Sequence, residues 1–302
     1  IYKKIQSLNK KVLQQMNLAP DRGFSLILTT DLPMAAGLSS SAAVELATAL
    51  CLLQLRGREL PKSELVSICR KAENEWVGLP CGILDQGTSA FGEKNQVVRI
   101  DCAEEAFSTL PLPEGTAFWI FDTGIKHDLV DSHYGTRNRE CMDALSALQT
   151  LDPQLKHLAH CPSELLDRAN LEEDILKRTR HVIGEQARVE QFEAGLRESK
   201  SPEKLGYLLQ ESHQSSSELF ENSVPELDHL VHLLNEDSEV FGARLTGGGF
   251  GGAALAWTSQ SFNEERAKSI AQAYCTKWDI EPRFHTFSPS RGAHSRDPLD
   301  KG

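Results

Sequence analysis

The residues best suited to chemistry lie near the start of the chain, in Pro33-Met34-Ala35-Ala36-Gly37-Leu38-Ser39-Ser40-Ser41-Ala42-Ala43. Three serines behind a glycine open residues 42–55, which are apolar nearly all round and are expected to form a buried helix. The first amides of a helix have no internal partner, and the macrodipole adds positive potential there. Such an end binds phosphate. Serine hydroxyls beside it can donate to phosphate oxygens or ligate Mg²⁺, and Gly37 lets the backbone come close. The plainer alternative is one serine capping a buried helix. That alternative asks for neither three serines nor the glycine and proline upstream. The segment is not a Walker loop, because no Gly-Lys-Ser/Thr ends it.

Two further segments add to it. Gly242-Ala243-Arg244-Leu245-Thr246-Gly247-Gly248-Gly249-Phe250-Gly251-Gly252 lies between runs read as strands at 239–241 and 253–257. A tight hairpin would need fewer glycines, so the excess points to backbone pressed against a ligand or another loop. In Cys81-Gly82-Ile83-Leu84-Asp85-Gln86 an acid follows a glycine-containing turn. Asp85 reads either as a proton acceptor or as the N-cap of a helix over 86–91. Glu73 stands at the edge of the apolar stripe Leu65, Ile68, Cys69, Ala72, Trp76. It is either a solvated surface acid or an inward carboxylate that requires a partner.

These residues need a scaffold, and the chain is long enough to supply one. With 302 residues it has room for two domains. A net charge of −11 argues against a nucleic-acid binder that relies on a basic surface, but leaves room for a local nucleotide pocket. The cysteine count is odd, seven, and no C-x-x-C pair occurs, so reduced thiols are expected in place of a disulfide framework or a zinc site. No stretch is long and apolar enough to span a bilayer, which points to a cytoplasmic protein. The chain opens at Ile1 inside an amphipathic pattern, read as a helix over 1–16, and an N-terminal truncation is expected. Residues 24–29 alternate like a strand. Helices are expected over 62–76, over 137–148 (soon after Tyr134), within 155–230 and over 267–278. Further strands are expected at 97–100, 118–121 and 284–287, with a frayed polar tail from 291. Strands and helices without regular βαβ alternation indicate an α+β fold. The change to a charged, helical character supports two domains, divided at 1–120 and 121–302.

Taken together, the three segments resemble the GHMP kinase superfamily, and within it the galactokinases. Ala72-Glu73-Asn74-Glu75-Trp76-Val77-Gly78-Leu79-Pro80-Cys81-Gly82-Ile83-Leu84-Asp85-Gln86 is similar to the second family signature. Asp122-Thr123-Gly124-Ile125-Lys126-His127, Ser132-His133-Tyr134 and Arg137-Asn138-Arg139-Glu140-Cys141 resemble a stretch particular to the galactokinases. Arg180-His181-Val182 and Pro225-Glu226-Leu227-Asp228 match weaker markers. The arginine-, glutamate-, histidine- and aspartate-bearing signature near the family's N-terminus has no counterpart here.

The resemblance implies a two-domain kinase with the nucleotide site between domains, transferring phosphate from ATP to the anomeric hydroxyl of galactose. It implies that Ala35, Ala36, Gly37, Leu38, Ser39, Ser40 and Ser41 cradle the phosphates, and that Ser41 and Glu73 hold Mg²⁺. Asp85 would be the catalytic aspartate, accepting the proton of the anomeric hydroxyl or stabilising the charge that develops there, with Gly82, Asp85 and Tyr134 against the sugar. Tyr134 has a plainer reading as an aromatic at a helix start, and Gly82 as a turn glycine. The glycine hairpin is expected beside the phosphate loop. Lys126 and His127 receive no role, and His213 is expected as a surface or packing histidine. A monomer is implied. Two alternatives stay open: a kinase for galacturonate, arabinose or N-acetylgalactosamine, kept by the run Ser215-Ser216-Ser217-Glu218-Leu219-Phe220-Glu221-Asn222, and a non-catalytic sugar sensor.

Overall fold

The computed structural model describes residues 10, 13–14, 25–32, 39–77, 82–125 and 130–295. Ala35, Ala36, Gly37 and Leu38 of the serine loop, Cys81, Lys126, His127 and most of the expected N-terminal helix lie outside the described residues. The chain divides into two units: residues up to Pro111 together with those from Pro289, and Leu112–Ser288.

In the first unit, α1 (Ser40–Leu55) is built from alanine and leucine, strong helix formers. It stops at Gly57, whose positive φ allows the Gly57 and Arg58 amides to turn back onto Gln54 and Leu53 carbonyls. α2 (Lys62–Val77) and the short α3 (Leu84–Phe91) pack on it. Their shared core includes Leu46, Ala49, Leu53, Leu65, Ile68, Cys69, Ile83 and Ala90. An antiparallel hairpin, β1 (Gln96–Asp101) with β2 (Ala106–Pro111), adds Ile100 and Phe107 to that core. β2 is not among the expected strands. Residues 25–30 form no ladder among the described residues, and Ile27 and Leu28 are exposed, contrary to the strand read there. Alternation makes a strand only where a neighbour pairs with its backbone.

The tail also differs from expectation. Its described part is fastened to the end of α3: the Gly292 and Ala293 amides donate to the Gly92 and Ser89 carbonyls, both at 2.7 Å.

The second unit is organised on a four-stranded antiparallel sheet in the order β4 (Val240–Thr246), β5 (Ala253–Ser259), β3 (Thr116–Asp122), β6 (Arg283–Phe287). Helices α8 (Pro225–Asn235) and α9 (Glu264–Trp278) bury Leu227, Leu230, Val231, Ile270 and Tyr274 against Trp119, Phe121, Leu245 and Ala254. α9 starts earlier than its apolar pattern, because Asn263 caps the Glu265 and Arg266 amides. α7 (Pro202–Ser215) lies directly on β4, where Gly206 meets Gly242. A Cβ on either would fall within 2.2 Å of the other element's backbone, so the glycine pair sets the approach. α4 (Val130–Gln149), α5 (Ser163–Arg168) and α6 (Glu173–Arg197) enclose a smaller core of Ala144, Leu148, Leu158 and Leu165.

Candidate functional site

The serine run does open a helix, but the serine at its head does not cap it. Ser39 adopts a left-handed backbone (φ 50°) and its side chain makes no capping hydrogen bond. The single-cap reading therefore does not account for the segment. Ser39, Ser40 and Ser41 are all half-buried at the amide-rich end of α1.

One turn further along α1, on the same face as Ser41, stands Glu45. It is 1% exposed, and Glu73 of α2 is 8% exposed. Glu73 thus points inward, resolving the two readings of that residue. Between the two acids lies the amide of Gln86 from α3, itself 1% exposed. Its Nε2 donates to Glu73 Oε2 at 2.6 Å and to Glu45 Oε2 at 3.1 Å. The thiol of Cys69 shares this environment. Burial, then the charges of Glu45 and Glu73, push its pKa well above the ordinary range.

Asp85 directly precedes Gln86 and is half-buried in the first turn of α3. The helix begins at Leu84 with Ile83 in the capping position, so Asp85 is not the N-cap. Gly82 is exposed, its φ lies outside the left-handed region, and a Cβ added there would meet no atom of the described residues within 4 Å. No turn geometry in the described residues calls for glycine at this position.

Tyr134 belongs to the second unit. α4 begins at Val130, so Tyr134 lies inside the helix and not before it; Gly135 does not break it. Its ring is 3.9 Å from the position of a Cβ on Gly248, in the loop joining β4 to β5. That loop is pressed against another loop, as its glycine excess implied. A Cβ on Gly249 would fall 1.9 Å from the Asn222 carbonyl. The Phe250 amide donates to that carbonyl at 2.7 Å, and Asn222 Nδ2 donates to Gly248 O at 3.3 Å. The Thr123 amide and hydroxyl both donate to Gly252 O at 2.8 Å.

Asn222 is in turn held by buried charge. Arg178, 2% exposed, donates to Glu140 Oε2 (2.9 Å), Glu221 Oε2 (2.7 Å) and Leu219 O (2.6 Å). Arg137 donates to Phe220 O at 2.6 Å and pairs with Glu140. These bonds fasten the wide turn Ser216–Phe220 that carries the chain to Asn222. His213 is buried, not on the surface. Its Nδ1 accepts the Leu245 amide at 3.2 Å, which leaves the proton on Nε2, 3.2 Å from Asp228 Oδ1. Burial pushes the Asp228 carboxyl up, but the neighbouring His213 ring and the hydroxyls beside it, of which Ser217 donates to Oδ2 at 3.0 Å, outweigh burial and hold the carboxyl low.

Comparison with known proteins agrees with this arrangement. Residues 3–93 match the GHMP kinases N terminal domain and residues 191–280 the GHMP kinases C terminal family. The galactokinase of Thermotoga neapolitana is 38% identical over 266 residues, 88% of this chain and 74% of that protein. The galactokinase of Glaesserella parasuis is 36% identical over 281 residues, 90% of this chain and 71% of that one. The chain belongs to the galactokinases of the GHMP kinase family. The crystal structure of Lactococcus lactis galactokinase, complexed with galactose, superposes with a TM-score of 0.89 at 29% identity. It covers 96% of this kinase and 75% of that chain. A mevalonate kinase structure at 21% identity and TM-score 0.60 shares the fold.

Glu45 and Arg178 of this kinase are absent from the residues singled out in sequence, and Gln86 and Asn222 stand there only as members of longer segments, with no role of their own. Glu45 did leave a signal: a lone carboxylate in an apolar helix, four residues after Ser41. Arg178 left none, since its acidic partners come from distant stretches of chain. Among the described residues no helix is long and apolar enough to cross a membrane.

Proposed function

We propose that this kinase transfers the γ-phosphoryl group of ATP to the anomeric hydroxyl of galactose, giving galactose 1-phosphate. The carrying observation is the joint of α1, α2 and α3, in which one buried amide ties the acid of Glu73 to the serine-headed helix beside Asp85. The galactokinases it resembles supply the sugar.

In this reading the loop from Ala35 to Ser41 receives the nucleotide phosphates on backbone amides and serine hydroxyls. Ser41 and Glu73 are hard oxygen donors on neighbouring helices and suit Mg²⁺, which binds through one or two protein groups plus phosphate oxygens and water. Bound there, the ion would neutralise charge on the transferring phosphate. Asp85 accepts the proton of the sugar hydroxyl or stabilises the charge that develops on it. Gly82 leaves room for the sugar against the backbone, and Tyr134 contacts it. The enzyme works as a monomer in the cytoplasm.

The test is sugar-dependent ADP release by the full-length protein over a panel of sugars. Galactose should be turned over fastest, and Asp85→Asn should abolish turnover while nucleotide binding persists. Equal or faster turnover of galacturonate, arabinose or N-acetylgalactosamine would move the substrate assignment. Retained turnover in Asp85→Asn would remove that residue's role.

A further inference from the structure

We propose that Gln86 is a positioning residue that, anchored on Glu45, fixes the carboxylate of Glu73 in the geometry that binds Mg·ATP and holds Asp85 beside it. This rests on the reading of Glu73 as a magnesium ligand and deepens it.

Glu45 and Glu73 are both buried carboxylates, and one oxygen of each lies within hydrogen-bond reach of the same nitrogen. Two like charges brought this close in a low-dielectric site repel, and an intervening donor offsets that repulsion. The Gln86 amide fills this place between them, with a short bond to Glu73 and a longer one to Glu45. The residue is also the next in chain after Asp85, in the first turn of a helix only eight residues long. Fixing the Gln86 side chain to α1 and α2 therefore fixes the backbone that carries Asp85. A single side chain thus ties three helices and the two acids of the proposed chemistry. Packing alone does not call for an amide here, since a methionine of similar length would fill the space.

The experiment measures nucleotide affinity by calorimetry with and without Mg²⁺, alongside steady-state kinetics and melting temperature. In Gln86→Met, Mg·ATP affinity should fall about 10- to 100-fold, the range found when groups orienting a metal ligand are removed. Metal-free ATP affinity should stay unchanged, and kcat should fall with little change in the sugar KM. Glu45→Gln in the Gln86→Met background removes the repulsion and should restore most of the Mg·ATP affinity. Gln86→Asn keeps the amide but is too short to bridge both acids, so it should weaken Mg·ATP in the same way. It serves as the test if the methionine variant does not fold. Unchanged metal dependence in either Gln86 variant, or no recovery on adding Glu45→Gln, overturns the proposal. These affinities judge Gln86 alone. A wild-type protein that binds Mg·ATP but releases no ADP with any sugar would instead overturn the kinase reading.

Discussion

Two glycines show how different jobs fall to one residue type. Gly249 has a φ of 80° and would place a Cβ 1.9 Å from the Asn222 carbonyl. That oxygen accepts the Phe250 amide, so the close approach is itself a hydrogen-bonded contact. Gly249→Ala must push the two loops apart and strain the backbone, a loss of about 2 to 4 kcal/mol in urea unfolding. Gly82 has neither demand: its Cβ position is open and its φ is ordinary. Gly82→Ala should leave the unfolding free energy within about 0.5 kcal/mol of wild type. Its effect should appear in the KM for galactose, because the added methyl occupies space proposed for the sugar. A destabilised Gly82→Ala protein with an unchanged KM would return Gly82 to a structural role.

Helices that met expectation in sequence were those whose own pattern decides them. The alanine- and leucine-rich stretch became α1 and the apolar stripe from Leu65 to Trp76 became α2, with Glu73 turned inward. Less legible were features decided by remote partners. β2 ends in a proline and alternates only partly, yet pairs along its whole length with β1. The same holds for the wide turn Ser216–Phe220, which extends α7 and has no glycine or proline to mark it. Its supports are Arg137, Arg178 and the ring of His181, which stacks on Phe220 with centroids 4.5 Å apart. Nδ1 of His181 lies 2.9 Å from the Ser215 hydroxyl. Burial lowers the pKa of His181 from 6.5 to about 4. Above pH 6.5 the ring is neutral folded and unfolded, and it contributes no pH dependence. Below it the unfolded chain takes up a proton that the folded chain refuses. Stability therefore falls as pH drops, until about pH 4. Between pH 7.5 and 5 this single residue should cost about 2 kcal/mol. His181→Gln, which keeps a polar partner for Ser215, should lose that much less than wild type over the same interval in urea titrations. Equal losses in the two proteins would show that the histidine is solvated and titrates normally.

At the scale of the whole chain, the first unit is not finished where its sequence first leaves it. The chain departs at Pro111, builds the second unit, and returns at Pro289. The returning stretch then meets the end of the helix that carries Asp85. Ala293 donates to Ser89 O, Gly292 donates to Gly92 O, and Pro289 O accepts from Asn95, the last at 3.1 Å. The final carbonyls of a helix lack internal donors, and a helix as short as α3 has few turns to hold it together without them. Nothing in the polar composition of the tail announced this, because backbone amides do the work and, among the described residues of the tail, Ala293 alone packs on the core. Deleting residues 289–302 should therefore destabilise the first unit by about 3 kcal/mol, roughly one per lost backbone bond. It should also lower kcat although no proposed site residue is touched. Cys69, fully buried beneath α3, reports the change. Its labelling by a thiol reagent should accelerate about a hundredfold where it follows opening of that core. Gly292→Val tests the same contact without a deletion, since even a Cβ there would fall 2.5 Å from the Ala90 carbonyl. If both changes leave Cys69 protected and kcat intact, the return of the chain is a passive overlay and α3 is held by Gln86 and the core alone.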